Sequence, residues 1–244
     1  MERKNAWITV LLVFTQLAGF TQTDEKIYQA YISGDMGAWK QRLDVLENNA
    51  TASKQERLNL VNYLYGYIAW SIEQDKEEEA RKYISMAEGL LDELEEKNYQ
   101  LSTIYAYRAA FVGFEIALAR RKAPFLGPKS LEFAEKSIKL DSKNSFGYVQ
   151  LGNIEFYTPA LFGGSKEVAM QHYRNAVRIM ENNPDSLKNN WNYVNLLATI
   201  IQAYMETGQY DKALDYCKKT LKHEPRFDWV KNELYPEVKN EIKS

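Results

Sequence analysis

Apolar residues recur at the i, i+3, i+4, i+7 spacing of an amphipathic helix from about Asp24 to the C-terminus. No stretch keeps the strict alternation that is typical of a strand. The pattern predicts helices at residues 24–32, 35–48, 53–73, 76–96, 99–121, 129–140, 145–157, 165–182, 186–207, 210–222 and 227–242. The breaks between them carry Gly, Asn or Pro, which favour turns and helix ends.

A second, finer spacing inside four of these helices indicates a repeat. A small residue is followed four positions later by a residue that fills space, and three positions after that by another small one. The sets are Ala80, Ile84 and Ala87; Ser130, Ala134 and Ser137; Ala169, Tyr173 and Ala176; and Ala213, Cys217 and Thr220. This is the pattern of the second helix of a tetratricopeptide repeat, where small residues let two helices approach.

The pattern therefore predicts an all-α fold, a right-handed α-solenoid of about four TPR-like helical hairpins. A short helical pair precedes the hairpins. A C-terminal capping helix bearing Trp229, Leu234 and Tyr235 follows them and covers the last repeat. We expect Pro236 to kink this helix or to start a new turn.

Two proline- and glycine-containing segments, 123–129 and 158–166, lengthen the hairpins beyond the ~34-residue period of an ordinary repeat. We predict that Phe125 and Phe162 turn inward and pack across the ends of adjacent hairpins. The reason is that an exposed Phe beside Leu161 would lower the solubility of the protein. The alternative is that these residues recognise a partner.

Composition narrows the class of protein. Of the 244 residues, 45% are hydrophobic and 26% are charged, which is typical of a globular chain. The formal net charge of −2 carries no basic excess, so we predict no nucleic-acid partner. Cys217 is the only cysteine, and the fold must therefore rest on packing without an internal disulfide.

The N-terminus has the order of segments found in a secretory signal. Arg3 and Lys4 precede an apolar stretch at 6–20, which is shorter than the ~20 residues of a membrane span. We predict a signal peptide at 1–22 and a single helical repeat domain at 23–244. The domain would have no integral membrane span and would be exported, either periplasmic or associated with the envelope. An uncleaved anchor is the alternative.

Candidate chemistry is sparse. His172 and His223 belong to different hairpins, and neither has carboxylates or Cys at metal-ligand spacing. Cys217 occupies a core position of its repeat, which is not the setting of a nucleophile. The run 163–166 lacks the phosphate-loop pattern, and we expect Ser165 to cap the following helix instead. The sequence predicts no enzyme activity, no metal and no cofactor.

The remaining candidate surface is the concave face, which solenoids line with their first helices. The phase of the repeat places a mixture of polar and aromatic residues on it: Asn62, Tyr65, Tyr107, Arg108, Phe111, Phe146, Gln150, Asn153, Asn195, Thr199 and Gln202. Such a mixture suits a peptide or a flexible segment of a protein partner. The alternative is a partly filled groove, covered by the two proline-containing loops or by the last helix.

Three runs carry a resemblance to a known group of proteins. Residues 123–129, 140–144 and 157–167, within a match over about 98–225, resemble exported tetratricopeptide-repeat (TPR-like) proteins of Bacteroidetes-type bacteria. The resemblance implies a helical solenoid outside the cytoplasm and little chemistry. A more distant similarity is to TPR proteins associated with periplasmic solute transporters.

Two functions follow from these patterns. The first is a non-enzymatic protein–protein interaction scaffold of the periplasm or cell envelope, which binds a partner or peptide along the concave face. The alternative is a small-molecule-binding accessory protein of a periplasmic transport system.

Overall fold

The computed structural model describes residues 24–243, and all of their regular structure is helical. The helices are α1 (Glu25–Ser33), α2 (Met36–Glu47), α3 (Lys54–Glu73), α4 (Glu77–Glu96), α5 (Leu101–Leu118), α6 (Ala123–Leu140), α7 (Ser145–Tyr157), α8 (Lys166–Glu181), α9 (Trp191–Glu206), α10 (Tyr210–His223) and α11 (Tyr235–Lys243). The predicted all-α solenoid is confirmed. The predicted signal peptide at 1–22 lies outside the described residues.

The helices pack as four consecutive hairpins, α3 with α4, α5 with α6, α7 with α8, and α9 with α10. Along the solenoid α5 contacts both α3 and α7, so the first helices of these hairpins lie side by side. Every residue of the predicted small–filler–small sets is buried in the second helices. The spacing therefore marks the face on which each second helix packs.

Close helix packing explains why a glycine stands in the middle of α7. A Cβ added to Gly152 would lie 2.4 Å from Cε1 of Tyr173 on α8. Tyr173 is the filler residue of this hairpin and is itself buried. The tyrosine ring lies against the α7 backbone because Gly152 has no side chain there.

Helix ends follow local hydrogen-bonding rules. The Oγ of Ser165 accepts a hydrogen bond from the N–H of Val168 at 3.2 Å, so the predicted cap of α8 is confirmed. Ser53 and Glu56 form a capping box at the start of α3. Gly34 and Gly208 follow α1 and α9 with φ of 72° and 67°, a conformation that glycine adopts without strain.

The segment 123–128, predicted as a loop, is instead the first part of α6. Pro124 lies in the first turn, where a backbone N–H has no intrahelical acceptor and its loss costs nothing. Pro128 lies one turn further on, where its ring is exposed to solvent. The connection from α5 to α6 is consequently short, with a 3-10 turn at Arg120–Lys122.

The C-terminal segment covers the last hairpin as predicted, but it is not one regular helix. A π-helical turn at Val230–Leu234 precedes α11, which packs against α10. Pro236 is the second residue of α11 and cannot donate the hydrogen bond that would continue an α-helix through this point. Phe227, Leu234 and Val238 are buried beneath the segment.

The two ends of the solenoid meet. Helix α1 contacts α9, and the Tyr31 hydroxyl donates a hydrogen bond to Oδ1 of Asn195 at 2.7 Å. The Tyr28 hydroxyl donates to Glu224, which follows α10, at 3.0 Å. The N-terminal pair thus folds back across the inner side of the superhelix and closes it.

Candidate functional site

Aromatic rings of the chain itself fill the inner side of the superhelix. A continuous series of ring contacts, with centroids 4.6 to 6.2 Å apart, joins Phe227, Tyr31, Trp191, Tyr65, Phe146 and Tyr107. Tyr65, Tyr107 and Phe111, which were predicted to face a partner, are buried in this series or beside it. Burial raises the pKa of Tyr65 to about 12. In this part of the described structure the concave face is filled by side chains of the chain itself.

The predicted polar residues are paired within the fold. Asn62 accepts a hydrogen bond from the Tyr107 hydroxyl at 2.9 Å, and Asn153 accepts one from the Tyr173 hydroxyl at 2.8 Å. Asn195 accepts the bond from Tyr31 described above. Each of these asparagines bonds a tyrosine of a different helix, so the arrangement joins neighbouring helices.

Arg108 does not share the inner face with Tyr107, and its predicted position is wrong. Its guanidinium forms an ion pair with Asp92 at 2.8 Å and hydrogen bonds to Glu95, both on α4. Tyr107 and Phe111, four positions apart, mark the inner face of α5. A residue next to Tyr107 in sequence is turned about 100° around the helix axis.

The remaining predicted residues lie between the filled interior and its rim. Phe146 is half-buried against Tyr65 and Tyr107, and Gln150 is buried. The Thr199 hydroxyl donates to the backbone carbonyl of Asn195 at 3.0 Å. Gln202 alone among the eleven predicted residues is exposed. Contact between these eleven residues and a partner stays a prediction. Such contact would require the packed interior to open.

The largest exposed apolar side chains lie elsewhere, in or directly beside two inter-helix connections. Within residues 24–243 the most exposed are Leu161, Phe125, Phe162 and Tyr157, at 88%, 82%, 76% and 74%. The predicted inward packing of Phe125 and Phe162 is therefore wrong. Since α5 and α7 are equivalent first helices packed side by side, both connections lie at one edge of the superhelix. We call these four residues the turn edge.

Backbone hydrogen bonds explain why Leu161 and Phe162 point outward. The N–H of Phe162 donates to the carbonyl of Pro159 at 2.8 Å, and the N–H of Gly163 donates to that of Ala160 at 3.0 Å. A Cβ on Gly164 would lie 1.9 Å from the carbonyl oxygen of Thr158. The turn is closed on itself, so its apolar side chains project away from the hairpin.

A cleft of about 370 Å³ adjoins this turn, between the end of α7 and the start of α8. Glu155 lines it and accepts a hydrogen bond from the N–H of Ser165 at 3.1 Å. The Lys166 ammonium lies 3.2 Å from the centroid of the Phe156 ring and 3.4 Å from Oε2 of Glu206. The cleft thus combines an aromatic floor with carboxylates at its border.

Burial shifts the pKa values of two side chains that the sequence offers as candidate chemistry, His172 and Cys217. Burial lowers the pKa of His172, which stacks on Tyr148 with ring centroids 6.2 Å apart. Burial raises the pKa of Cys217 to about 12 and keeps the thiol protonated. Between residues 24 and 243, no group of three or more His, Cys, Asp or Glu side chains is placed to hold a metal.

Comparison with known proteins shows the fold. No family model and no curated protein sequence matches the chain. The structure is similar to the HusA haemophore from Porphyromonas gingivalis, with a TM-score of 0.60 and 16% identity over 77% of this chain and 95% of the haemophore. It is also similar to a thermophilic TPR protein of Thermus thermophilus, with a TM-score of 0.51 and 13% identity over 91% of this chain and all of that one.

None of the described helices is both long enough and apolar enough to span a membrane. The two structural similarities, at identities this low, extend to the fold alone. The chain has a TPR-like all-helical fold, which is seen also in a haemophore and in a tetratricopeptide-repeat protein.

Proposed function

We propose that this chain is a non-enzymatic, exported interaction scaffold that contacts a protein partner through the turn edge. The observation that carries the proposal is the exposure of Leu161 and Phe162 on a turn held closed by its own backbone hydrogen bonds. Contiguous exposed apolar surface on a folded protein marks sites of interaction. The signal-like segment at 1–22 supports export.

The filled interior supports the turn edge over the concave face. A peptide lying along the first helices would have to displace rings such as Trp191 and Tyr65, which pack against each other. It would also have to replace the hydrogen bonds between Asn62 and Tyr107 and between Asn195 and Tyr31. The turn edge needs no rearrangement, since its side chains already face solvent.

Partner capture with a matched control tests the proposal. Leu161→Ser combined with Phe162→Ser removes apolar area from the turn edge, and Leu140→Ser removes it from an exposed position at the other end of α6. Cross-linking in intact cells, with identification by mass spectrometry, should yield a species that the double variant loses and the control keeps. Equal yields from all three proteins would contradict the proposal.

A second candidate function is carriage of a small ligand in the cleft beside the turn. The cleft of about 370 Å³, with Phe156 as its floor, favours this candidate, and the similar fold of a haemophore suggests haem as the first compound to test. Haemin titration followed by visible absorbance should then give a saturable spectral change at one equivalent. A linear, unsaturated change would remove this candidate.

A further inference from the structure

We propose that the partner at the turn edge is a second copy of this chain, in a two-fold symmetric dimer. The basic and apolar segment 120–125 of one copy would dock on the acidic and apolar α7–α8 turn of the other, and the reverse contact would form at the same time. This inference rests on the proposed function, because it names the partner of the surface proposed there.

The α5–α6 connection supplies the basic half of the interface. Arg120 and Arg121 are exposed and form no ion pair with any described residue, whereas Lys122 lies 3.4 Å from Glu115. Phe125 follows in the first turn of α6 and is largely exposed. The segment thus presents two unpaired guanidinium groups beside an uncovered aromatic ring.

The α7–α8 turn supplies the acidic half. Glu155 and Glu167 line the cleft, and Glu206 borders it through its contact with Lys166. Lys166 is the one cation that lines the cleft, so the described carboxylates outnumber it. Its ammonium lies over the Phe156 ring, so an arginine of a second copy would meet the carboxylates at the border of the cleft.

The placement of the two halves favours a second copy over a different partner. Both halves lie at the same edge, on neighbouring hairpins, so a two-fold axis near them brings each half opposite its complement. The pairing covers Phe125 with Leu161 and Phe162, and it joins arginine with carboxylate. A partner with a single sign of charge would be attracted by one half and repelled by the other.

Sedimentation velocity over a range of concentrations tests the dimer. The wild-type protein should show a monomer–dimer equilibrium. Phe125→Ser and Leu161→Ser should each weaken association about tenfold or more, because each loss occurs twice in a two-fold dimer. Leu140→Ser should leave association unchanged. A wild-type protein that sediments as a monomer at every soluble concentration would overturn the inference.

Charge reversal gives a sharper test of the docking geometry. Arg121→Glu places like charges at both contacts of its own dimer, and Glu206→Lys does the same with the opposite sign. Each variant alone should be largely monomeric, but an equimolar mixture should associate, because both contacts of the mixed dimer again join opposite charges. Wild-type-like association of either single variant, or no recovery on mixing, would overturn the inference.

The result is separable from the proposed function. If the protein is monomeric while the Leu161 and Phe162 double variant loses a cross-linked protein of another kind, the proposed contact surface stands and the self-association falls. If the cross-linked species is a dimer of this chain and the charge-reversed mixture recovers it, both stand.

Discussion

Phe156 and Phe162 belong to the same hairpin and lie in opposite environments. Phe156 is 5% exposed and packs beside Tyr173, with ring centroids 6.5 Å apart, while Phe162 is 76% exposed. Burying a Phe side chain contributes about 1.5–3 kcal/mol to stability. Substitutions of these two residues can therefore compare a buried phenylalanine with an exposed one in the same hairpin.

Phe156→Ala should lower the free energy of unfolding by about 3–5 kcal/mol, because it opens a cavity in the packed interior. Phe162→Ala should change it by less than about 0.5 kcal/mol, as expected for a surface position. Urea unfolding followed by circular dichroism measures both. A large loss of stability in Phe162→Ala would show that the ring is packed after all.

Cys217 is a second residue whose environment sets its behaviour. Burial raises its pKa from 9.0 to about 12, so the thiolate that reacts with disulfide reagents is rare at neutral pH. A thiol reagent such as DTNB should react with one equivalent only after the protein is unfolded in urea. Rapid reaction of the native protein would contradict the burial of this side chain.

Helix elements were the most predictable level of the fold. The small–filler–small spacing depends on residues within one helix, and all twelve of its positions are buried as it requires. The sequence does not fix which side of α5 faces the inner side of the superhelix, because aromatic and apolar residues surround much of this helix. The pattern therefore places Arg108, next to Tyr107, on the wrong face.

Proline makes the inter-helix connections harder to predict from sequence than the helices. Pro124 and Pro128 within a Gly-containing run predicted a loop, yet a first-turn proline is compatible with a helix and α6 begins at Ala123. The outward direction of Phe162 depends on hydrogen bonds that the carbonyl of Pro159 accepts and on the absence of a Cβ at Gly164. Periodicity carries no information about such contacts.

Two glycines in helix interiors should respond oppositely to the same change. Gly152→Ala in α7 forces a Cβ against the buried Tyr173 ring and should cost about 1–3 kcal/mol. Gly89→Ala in α4 meets no atom within 4 Å and should stabilise by about 0.5–1 kcal/mol. Urea midpoints of the two variants check this. Equal effects would contradict the close approach of α7 to α8.

At the scale of the whole molecule, closure of the solenoid depends on contacts that sequence patterns cannot reveal. Tyr28 and Glu224 are 196 positions apart and meet in one hydrogen bond. The Asn62–Tyr107 and Asn195–Tyr31 bonds likewise join distant helices. The sequence alone therefore predicts partner contacts for polar residues of the inner helices, whereas their hydrogen-bond partners lie within the chain.

Glu224 offers a test of closure with a defined pH dependence. Burial raises its pKa, but hydrogen bonds from Arg226 and Tyr28 outweigh this and hold the pKa below its ordinary value of 4.5. Its contribution to stability is therefore present above pH 4.5 and is lost as the pH falls through the folded-state pKa.

Glu224→Gln should consequently lower stability by about 1–3 kcal/mol at neutral pH, since the hydrogen bonds lose their charged acceptor. The deficit relative to wild type should shrink in acid, where the wild-type carboxylate is protonated as well. Urea midpoints of the two proteins across this pH range measure the difference. Glu233→Gln, at an exposed position of the same segment, serves as the control. A deficit that does not depend on pH would contradict the role given to the Glu224 charge.

The proposed function requires that this solenoid contacts its partner through the turn edge while its inner face stays filled. Photo-crosslinking residues placed at Phe162 and, in a separate variant, at the exposed inner-rim residue Gln202 test it within living cells. Position 162 should give a discrete cross-linked species in clearly higher yield than position 202, which lines a small cavity together with Tyr157. Cross-links from position 202 with none from position 162 would show that the inner face opens to bind and would contradict the account.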